Sequence, residues 1–158
     1  MLKIRGMLIA LALVLFVTQV WVKGALSDTL SNGADKIVTG VIIRFAAGTT
    51  FVDVKVDQDN AAVRDFLSML PLKVKVEEFA GREKIAYLAR KLRAETSPGS
   101  DPEDGDLIYY IPWGNLGFYY NTAGIGYSDQ TIHMGIYKAS RDDLQRLEGQ
   151  PVTVDVLR

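Results

Sequence analysis

Apolar and polar residues alternate along most of the chain after residue 36, with the two-residue period of half-buried β-strands. The alternation is clearest in LKVKVEEF at residues 72–79, where leucine and valine alternate with lysine and glutamate. Runs of this kind predict strands at residues 37–45, 50–56, 72–79, 106–111, 115–120, 132–137 and 152–156. An eighth segment, residues 81–92, is compatible with either a strand or a helix.

Two other segments carry the signals of short helices. In the first, apolar residues recur with the spacing of an amphipathic helix at Val63, Phe66, Leu67 and Leu70. Asp59 and Asn60 can cap the start of this helix, and Pro71 ends it. In the second segment, Ser140 and Asp143 resemble a capping box ahead of a short apolar pattern.

The order of these elements indicates the fold class. Seven or eight strands and two short helices, without regular strand–helix alternation, argue against a fold built of β–α–β units. The simplest closure is an antiparallel barrel whose ends are covered by the helices. We therefore predict a mainly β protein, a closed barrel of about eight strands with two short helices, preceded by a hydrophobic N-terminal signal or anchor helix.

The first 27 residues have the composition of an export signal. Lys3 and Arg5 precede LIALALVLFV at residues 8–17, which has the length of a signal-peptide apolar core and is shorter than a typical membrane span. Small residues before a cleavage point after Ser27 favour removal of this segment, while its retention as a membrane anchor stays open. We expect an extracytoplasmic domain, secreted or periplasmic, or else anchored with the domain outside.

This interpretation divides the chain into three parts. Residues 1–27 are the signal peptide or membrane anchor, residues 28–36 are a polar linker, and residues 37–158 are the barrel domain. The absence of cysteine excludes a lipid-modified anchor and fits an exported domain that folds without disulfides.

Charge and composition exclude several classes of function. Without the first 27 residues, the chain carries 15 basic and 19 acidic side chains, a net charge of −4, which argues against nucleic acid as a partner. His133 is the single histidine, so a histidine-based metal site is not expected and a structural role is its default. No Gly-rich phosphate loop follows a strand, and no cofactor is predicted.

Aromatic residues concentrate in one hairpin-like segment. Six of the 15 aromatic residues fall in residues 109–120, on either side of the break Pro112-Trp113-Gly114-Asn115. Strand alternation puts aromatic side chains on both faces of the hairpin, and Gly117 leaves space for a close approach. One interpretation is a core and a structural corner. The other is an apolar groove in which Trp113, Asn115, Tyr109 and Tyr119 bind a ligand.

A second candidate cluster lies in the ambiguous segment at residues 81–92. Helical spacing would bring Glu83, Tyr87 and Arg90 to one exposed side. Arg90 is the candidate catalytic residue, because a guanidinium beside a tyrosine can polarise a carbonyl or clamp a carboxylate. Glu83 and Tyr87 are candidate ligand-binding residues. The alternative is an ordinary solvated charged face.

Three blocks of the chain form a recognisable series: DNAAVRDFLSMLPLKVKVEEF at residues 59–79, GREKIAYLARKL at residues 81–92 and PGSDPEDGDLIYYIPWGNLGFYY at residues 98–120. Together, in this order and spacing, they resemble a family of small bacterial and archaeal proteins with a cyclophilin-like fold. The resemblance implies a closed eight-stranded barrel with a helix at each end, and a function that is mostly unassigned within the family. Ala89 stands where the family pattern has a proline.

The resemblance leaves three functions open. Peptidyl-prolyl isomerases of the cyclophilin class carry Phe-His-Arg and Gln-Gly-Gly-Asp motifs, and this chain has neither. At the position nearest to the first motif, Arg44 stands between Ile43 and Phe45. The first hypothesis is an exported module that binds a peptide or small molecule. The second is a prolyl isomerase with a non-standard site, and the third is an assembly partner without a ligand. A membrane would be a partner only through an uncleaved N-terminal segment.

Overall fold

The computed structural model of the chain describes residues 37–157. The leader at residues 1–27 and the linker at residues 28–36 lie outside the described residues, so both stay predictions, as do the domain boundaries that depend on them. Among residues 37–157, no helix is long and apolar enough to cross a membrane.

Within residues 37–157 the chain forms nine strands and two short helices. The strands are β1 (Ile42–Ala47), β2 (Thr50–Lys55), β3 (Leu72–Lys75), β4 (Glu77–Phe79), β5 (Glu83–Tyr87), β6 (Asp106–Tyr110), β7 (Asn115–Tyr119), β8 (Thr131–Tyr137) and β9 (Pro151–Val156). The helices are α1 (Ala61–Met69) and α2 (Arg141–Gln145). The mainly β prediction is confirmed, with nine strands where about eight were expected.

The strands form one antiparallel sheet in the order β3-β9-β1-β2-β8-β6-β7-β5-β4. The two end strands, β3 and β4, are consecutive in the chain and are separated by the buried Val76. The predicted single strand at residues 72–79 is therefore bent, and its first half pairs with β9 while its second half pairs with β5. This shared segment brings the ends of the sheet together, so the barrel is nearly closed rather than fully closed.

Alternate residues of the strands fill the barrel. Phe45, Val54, Phe118 and Val154 are fully buried, and the rings of Phe45 and Phe118 meet edge to face with their centroids 4.9 Å apart. Each large side chain removed from water in this way contributes about 2 kcal/mol to stability. The predicted alternation of apolar and polar residues thus agrees with the alternation of buried and outward-facing residues in these strands.

The two helices begin where the sequence predicted. The Asn60 side chain accepts a hydrogen bond from the Val63 N–H at 3.0 Å and caps α1, which buries Phe66 in the core. Ser140 and Asp143 exchange the reciprocal bonds of a capping box at α2. Both caps satisfy N–H groups that the first helical turn leaves without partners.

The structure decides one open alternative and corrects one local prediction. The segment at residues 81–92, compatible with either a strand or a helix, contains β5 and no helix, because β4 and β7 pair with it on either side. The first strand begins at Ile42, five residues later than predicted, since Gly40 forms a turn at a φ of 88° and donates its N–H to the Val56 carbonyl.

A buried carboxylate fastens the loop after β5 to α1. Asp65 accepts hydrogen bonds from Nη1 and Nη2 of Arg90 at 2.5 and 3.1 Å, and from the backbone N–H and Nε of Arg93, both at 3.0 Å. Its side chain is 2% exposed. The hydrogen bonds from Arg90 hold the pKa of Asp65 well below its usual range, even though burial alone would raise it.

We expect Asp65→Asn to lower the free energy of unfolding by about 2 kcal/mol, because several charge-assisted hydrogen bonds to a buried group are lost. Urea unfolding at pH 7 measures the difference. The matched control is Asp59→Asn, which breaks an exposed pair with Arg64 and should cost less than about 1 kcal/mol. Equal losses in the two variants would contradict the role assigned to Asp65.

Candidate functional site

Strand pairing brings four of the predicted site residues onto one face of the sheet. Glu83 lies directly opposite Tyr119, and Tyr87 directly opposite Asn115, in the β5–β7 pair. Tyr110 on β6 lies opposite Asn115 from the other side. Directly paired residues in an antiparallel sheet point to the same face, so these side chains share one surface.

This surface is the outer face of the barrel wall. The intervening residues Leu116 and Phe118 belong to the core, so Asn115, Gly117 and Tyr119 point the other way. Ile85 and Ile108 lie on the same outer face, yet they are 5% and 1% exposed. Other side chains must therefore cover them from outside.

Three aromatic rings form a row across this face. The Trp113 indole meets the ring of Phe79 edge to face at 5.2 Å and the ring of Tyr110 at 5.6 Å. Phe79 belongs to β4 and Tyr110 to β6, with β5 and β7 between them. The row therefore crosses β5 and β7, above the outer face. We call Phe79, Tyr87, Tyr110, Trp113 and Tyr119 together the aromatic face.

The tight turn between β6 and β7 positions Trp113. The turn closes with a hydrogen bond of 2.9 Å from the Gly114 N–H to the Tyr110 carbonyl oxygen. Gly114 has a φ of 70°, a conformation that glycine adopts without steric cost. The Trp113 side chain remains 48% exposed, so one side of the indole is available for contact.

Glu83 lies against Gly117 on this face. A Cβ at Gly117 would come within 2.0 Å of Glu83 Oε2, so the carboxyl group occupies the space that any other residue would fill. Glu83 is only 8% exposed, and its Oε2 has no hydrogen-bond partner. Glycine at position 117 is thus what allows a carboxyl group to lie flat on the sheet.

Burial changes the acid–base properties of this group. Desolvation raises the pKa of Glu83 to about 7, and the nearby Glu78 carboxylate adds to the rise. Burial and the Glu83 carboxylate together raise the pKa of Tyr119 to about 12. A carboxyl group with a pKa near neutrality can bind a cation when it is ionised, or donate a hydrogen bond when it is protonated.

Asn115 carries a second unpartnered acceptor. Its Nδ2 donates to the Leu116 carbonyl oxygen at 3.1 Å, whereas its Oδ1 is buried without a partner. Each such acceptor costs about 1–3 kcal/mol when it is left unsatisfied. A ligand that carries N–H groups would satisfy these two buried acceptors, which share the outer face with the aromatic rings.

The two remaining predicted site residues lie elsewhere. Tyr109 is fully buried in the core, and its hydroxyl accepts a hydrogen bond from the Leu92 N–H at 3.0 Å. Arg90 is held by Asp65 of α1. Helical spacing had grouped Arg90 with Glu83, and the strand conformation of β5 separates them.

Sequence reasoning did not include Phe79 and Tyr110 in the site. Tyr110 could have been found, because it alternates with the core residue Tyr109 and must face the other way. Phe79 falls on the polar side of the alternation in residues 72–79, and an aromatic ring at a polar position is itself a signal of a contact outside the core.

An open groove of about 770 Å³ lies away from the aromatic face, with Phe51 in its lining. The carboxylates of this groove are already paired within the protein. Arg44 donates two hydrogen bonds of 2.7 Å to Asp53, and Arg146 pairs with Asp143. Both carboxylates in the lining of this groove, Asp53 and Asp143, are therefore already occupied, whereas Glu83 on the aromatic face is not.

His133 also has partners within the protein. Its Nε2 lies 2.7 Å from Oδ1 of Asp57, and its Nδ1 lies 3.4 Å from Oδ2 of Asp106. Burial acts to lower the pKa of His133, but the hydrogen bonds with Asp106 and Asp57 outweigh it and raise the pKa. Among residues 37–157, no group of three or more His, Cys, Asp or Glu side chains could hold a metal ion.

The raised pKa of Glu83 predicts a pH-dependent stability. The folded protein retains this proton up to about pH 7, whereas an unfolded chain releases it near pH 4.5, so stability falls as the pH rises between these values. As the pH rises from 5 to 8, we expect the free energy of unfolding of Glu83→Gln to increase by about 2 kcal/mol relative to that of the wild type. Urea unfolding across this range measures the change.

Glu77→Gln is the matched control, because Glu77 is an exposed glutamate on the adjacent strand β4. Its stability should follow the wild-type pH dependence. A Glu83→Gln curve that also runs parallel to the wild type would show that the Glu83 carboxyl ionises normally in the folded state.

Comparison with known proteins agrees with this architecture. The solution structure of a hypothetical protein from Archaeoglobus fulgidus is similar, with a TM-score of 0.57 and 20% sequence identity, covering 78% of this chain and 98% of that one. At this identity the similarity shows the fold alone. No curated protein matches the chain. Residues 45–156 match the model of the cyclophilin-like family, and because this match spans more than half of the chain, the protein belongs to the cyclophilin-like family.

Proposed function

We propose that this domain binds an extended peptide or a small ligand on the aromatic face. The observation that carries the proposal is the pair of buried, unpartnered acceptors, Glu83 Oε2 and Asn115 Oδ1, on the same face of the sheet as a row of aromatic rings. Aromatic side chains supply large contact areas, and a few polar groups set the orientation of a ligand.

The spacing of the two acceptors suits an extended ligand. The Glu83 carboxyl lies against Gly117, and Asn115 is two residues away on the same face of β7. Two residues of a strand span about 7 Å, which is also the spacing of like-facing groups in an extended peptide. N–H groups of such a peptide would satisfy both oxygens.

The isomerase hypothesis receives no support from Arg90. An arginine that polarises a substrate carbonyl must reach an open apolar surface, whereas Arg90 is bound to the buried Asp65. The proposal is therefore a binding function, and the chain's hairpin of aromatic residues serves both the core and the ligand.

Titration of the ¹⁵N-labelled full-length chain tests the proposal. The probe is a panel of acetylated and amidated tetrapeptides without charged side chains. We expect members of the panel to shift the Gly117 amide and the Trp113 indole N–H signals. Trp113→Ala identifies the indole signal, since Trp21 is the only other tryptophan, and should weaken binding about tenfold.

The matched control is Phe51→Ala, which removes an exposed ring from a different part of the surface. Its affinity for the same peptides should equal that of the wild type. If no peptide, either uncharged or carrying an amine, shifts either signal, the binding proposal fails and the assembly-partner hypothesis takes its place.

We also propose that the domain works outside the cytoplasm, on the basis of the apolar segment and flanking charges in residues 1–27. Expressed in a Gram-negative host with a C-terminal tag, the protein should appear outside the cytoplasmic fraction. An N-terminus at Asp28 would indicate cleavage, and an intact N-terminus in the membrane fraction would indicate an anchor. Leu13→Arg, which interrupts the apolar run, should keep the protein in the cytoplasm, and a wild-type protein found there would contradict the proposal.

A further inference from the structure

Buried acids elsewhere in the protein have partners that compensate their charge. Among residues 37–157, the buried acids are Asp65, Glu83 and Asp106. Asp65 pairs with two arginines, and Asp106 lies beside His133 and accepts the Glu103 N–H at 2.9 Å. Glu83 differs from both, because its buried Oε2 has no partner.

The cationic side chains adjacent to Glu83 in the chain do not compensate it. Lys84 points to the opposite side of β5, where its Nζ forms ion pairs with Glu78 and Glu148. The Arg82 guanidinium donates to the Ala123 carbonyl oxygen at 2.7 Å. The alternation of the strand thus takes Lys84 away from Glu83 and leaves the carboxyl without a cation.

The surroundings of Glu83 favour a positively charged group. The titratable groups that act on Glu83, or on its strand partner Tyr119, are Glu78, Tyr110 and Arg82. Glu78 adds negative charge near the site. Glu83 is paired with Phe79 and with Tyr119 across the two neighbouring strands, and aromatic rings attract cations most strongly where water is excluded.

We propose that the ligand of the aromatic face carries a protonated amine, such as a lysine side chain, that binds to the Glu83 carboxylate. This inference rests on the proposed binding function and specifies the chemical class of the ligand. The ammonium group would supply the N–H donor that Oε2 lacks, as the arginines do for Asp65. The aromatic face would enclose the aliphatic part of the same side chain.

Two capped peptides that differ in one group test the inference. They are acetyl-Ala-Lys-Ala-amide and its norleucine analogue, which replaces the aminobutyl side chain by an uncharged butyl chain. Titrations of the full-length chain follow the Trp113 indole N–H signal, which every variant of this experiment retains. At pH 8 we expect the lysine peptide to bind about tenfold more tightly than the norleucine peptide.

The pH dependence provides a second readout. The lysine peptide stays charged throughout, while the fraction of ionised Glu83 rises from about a tenth at pH 6 to about nine tenths at pH 8. The affinity for the lysine peptide should therefore rise nearly tenfold over this range. The affinity for the norleucine peptide should not rise with pH.

Variants connect the preference to Glu83. Glu83→Gln keeps the shape of the side chain and should abolish both the lysine preference and its pH dependence. Gly117→Ala places a methyl group where Oε2 lies and should displace the carboxyl group. It should therefore lower the affinity for the lysine peptide, as Glu83→Gln does. Glu95→Gln, at an exposed position in the loop after β5, is the control and should leave the preference unchanged.

The outcomes distinguish this inference from the binding function itself. Equal affinity for the two peptides, or a lysine preference that survives in Glu83→Gln, overturns the amine assignment and leaves the binding function intact. Binding of neither peptide by a protein that binds the uncharged tetrapeptides also overturns the amine assignment. Failure of both the tripeptides and the tetrapeptide panel removes the binding function and the amine assignment together.

Discussion

The outer face of the barrel depends on the register between β5 and β7. In this register Glu83 lies opposite Tyr119 and Tyr87 opposite Asn115, while Lys84 and Phe118 face the interior side. A slip of one residue would reverse every side chain and turn Glu83 inward. Packing of the inner residues therefore holds the register, and the register in turn fixes the chemistry of the outer face.

Asp65 and Glu83 carry the same chemical group in two different surroundings. Both are buried carboxyl groups, but Asp65 is paired with two arginines, whereas Glu83 lies against a glycine and is paired with Phe79 and Tyr119 on the neighbouring strands. Hydrogen bonds from arginine lower the pKa of Asp65, and desolvation raises the pKa of Glu83. The first group joins a loop to a helix. The second retains an unsatisfied oxygen, which is the atom that the proposed ligand would use.

Some residues of the candidate site could be predicted from the sequence, but their arrangement in space could not. Alternation placed Tyr109 and Tyr110 on opposite faces, but only the packing of the barrel showed that Tyr109 is the inner one. Helical spacing grouped Glu83 with Arg90 in the predicted site. The structure separates them, because Glu83 belongs to strand β5, which pairs with β4 and β7. Phe79 belongs to the site because its ring contacts Trp113, a residue 34 positions later in the chain. Its place on the polar side of the strand indicates a contact outside the core but does not identify that partner.

The sequence by itself determined the features that depend on neighbouring residues. These are the strand periods, the helix caps at Asn60 and Ser140, and the order of blocks that identifies the cyclophilin-like family. Only the tertiary structure decided which face of each strand is covered, where Arg90 binds and which residues lie next to Glu83 on the neighbouring strands. Those outcomes depend on contacts between distant segments, because the free energy of a buried charge is set by whatever surrounds it in space.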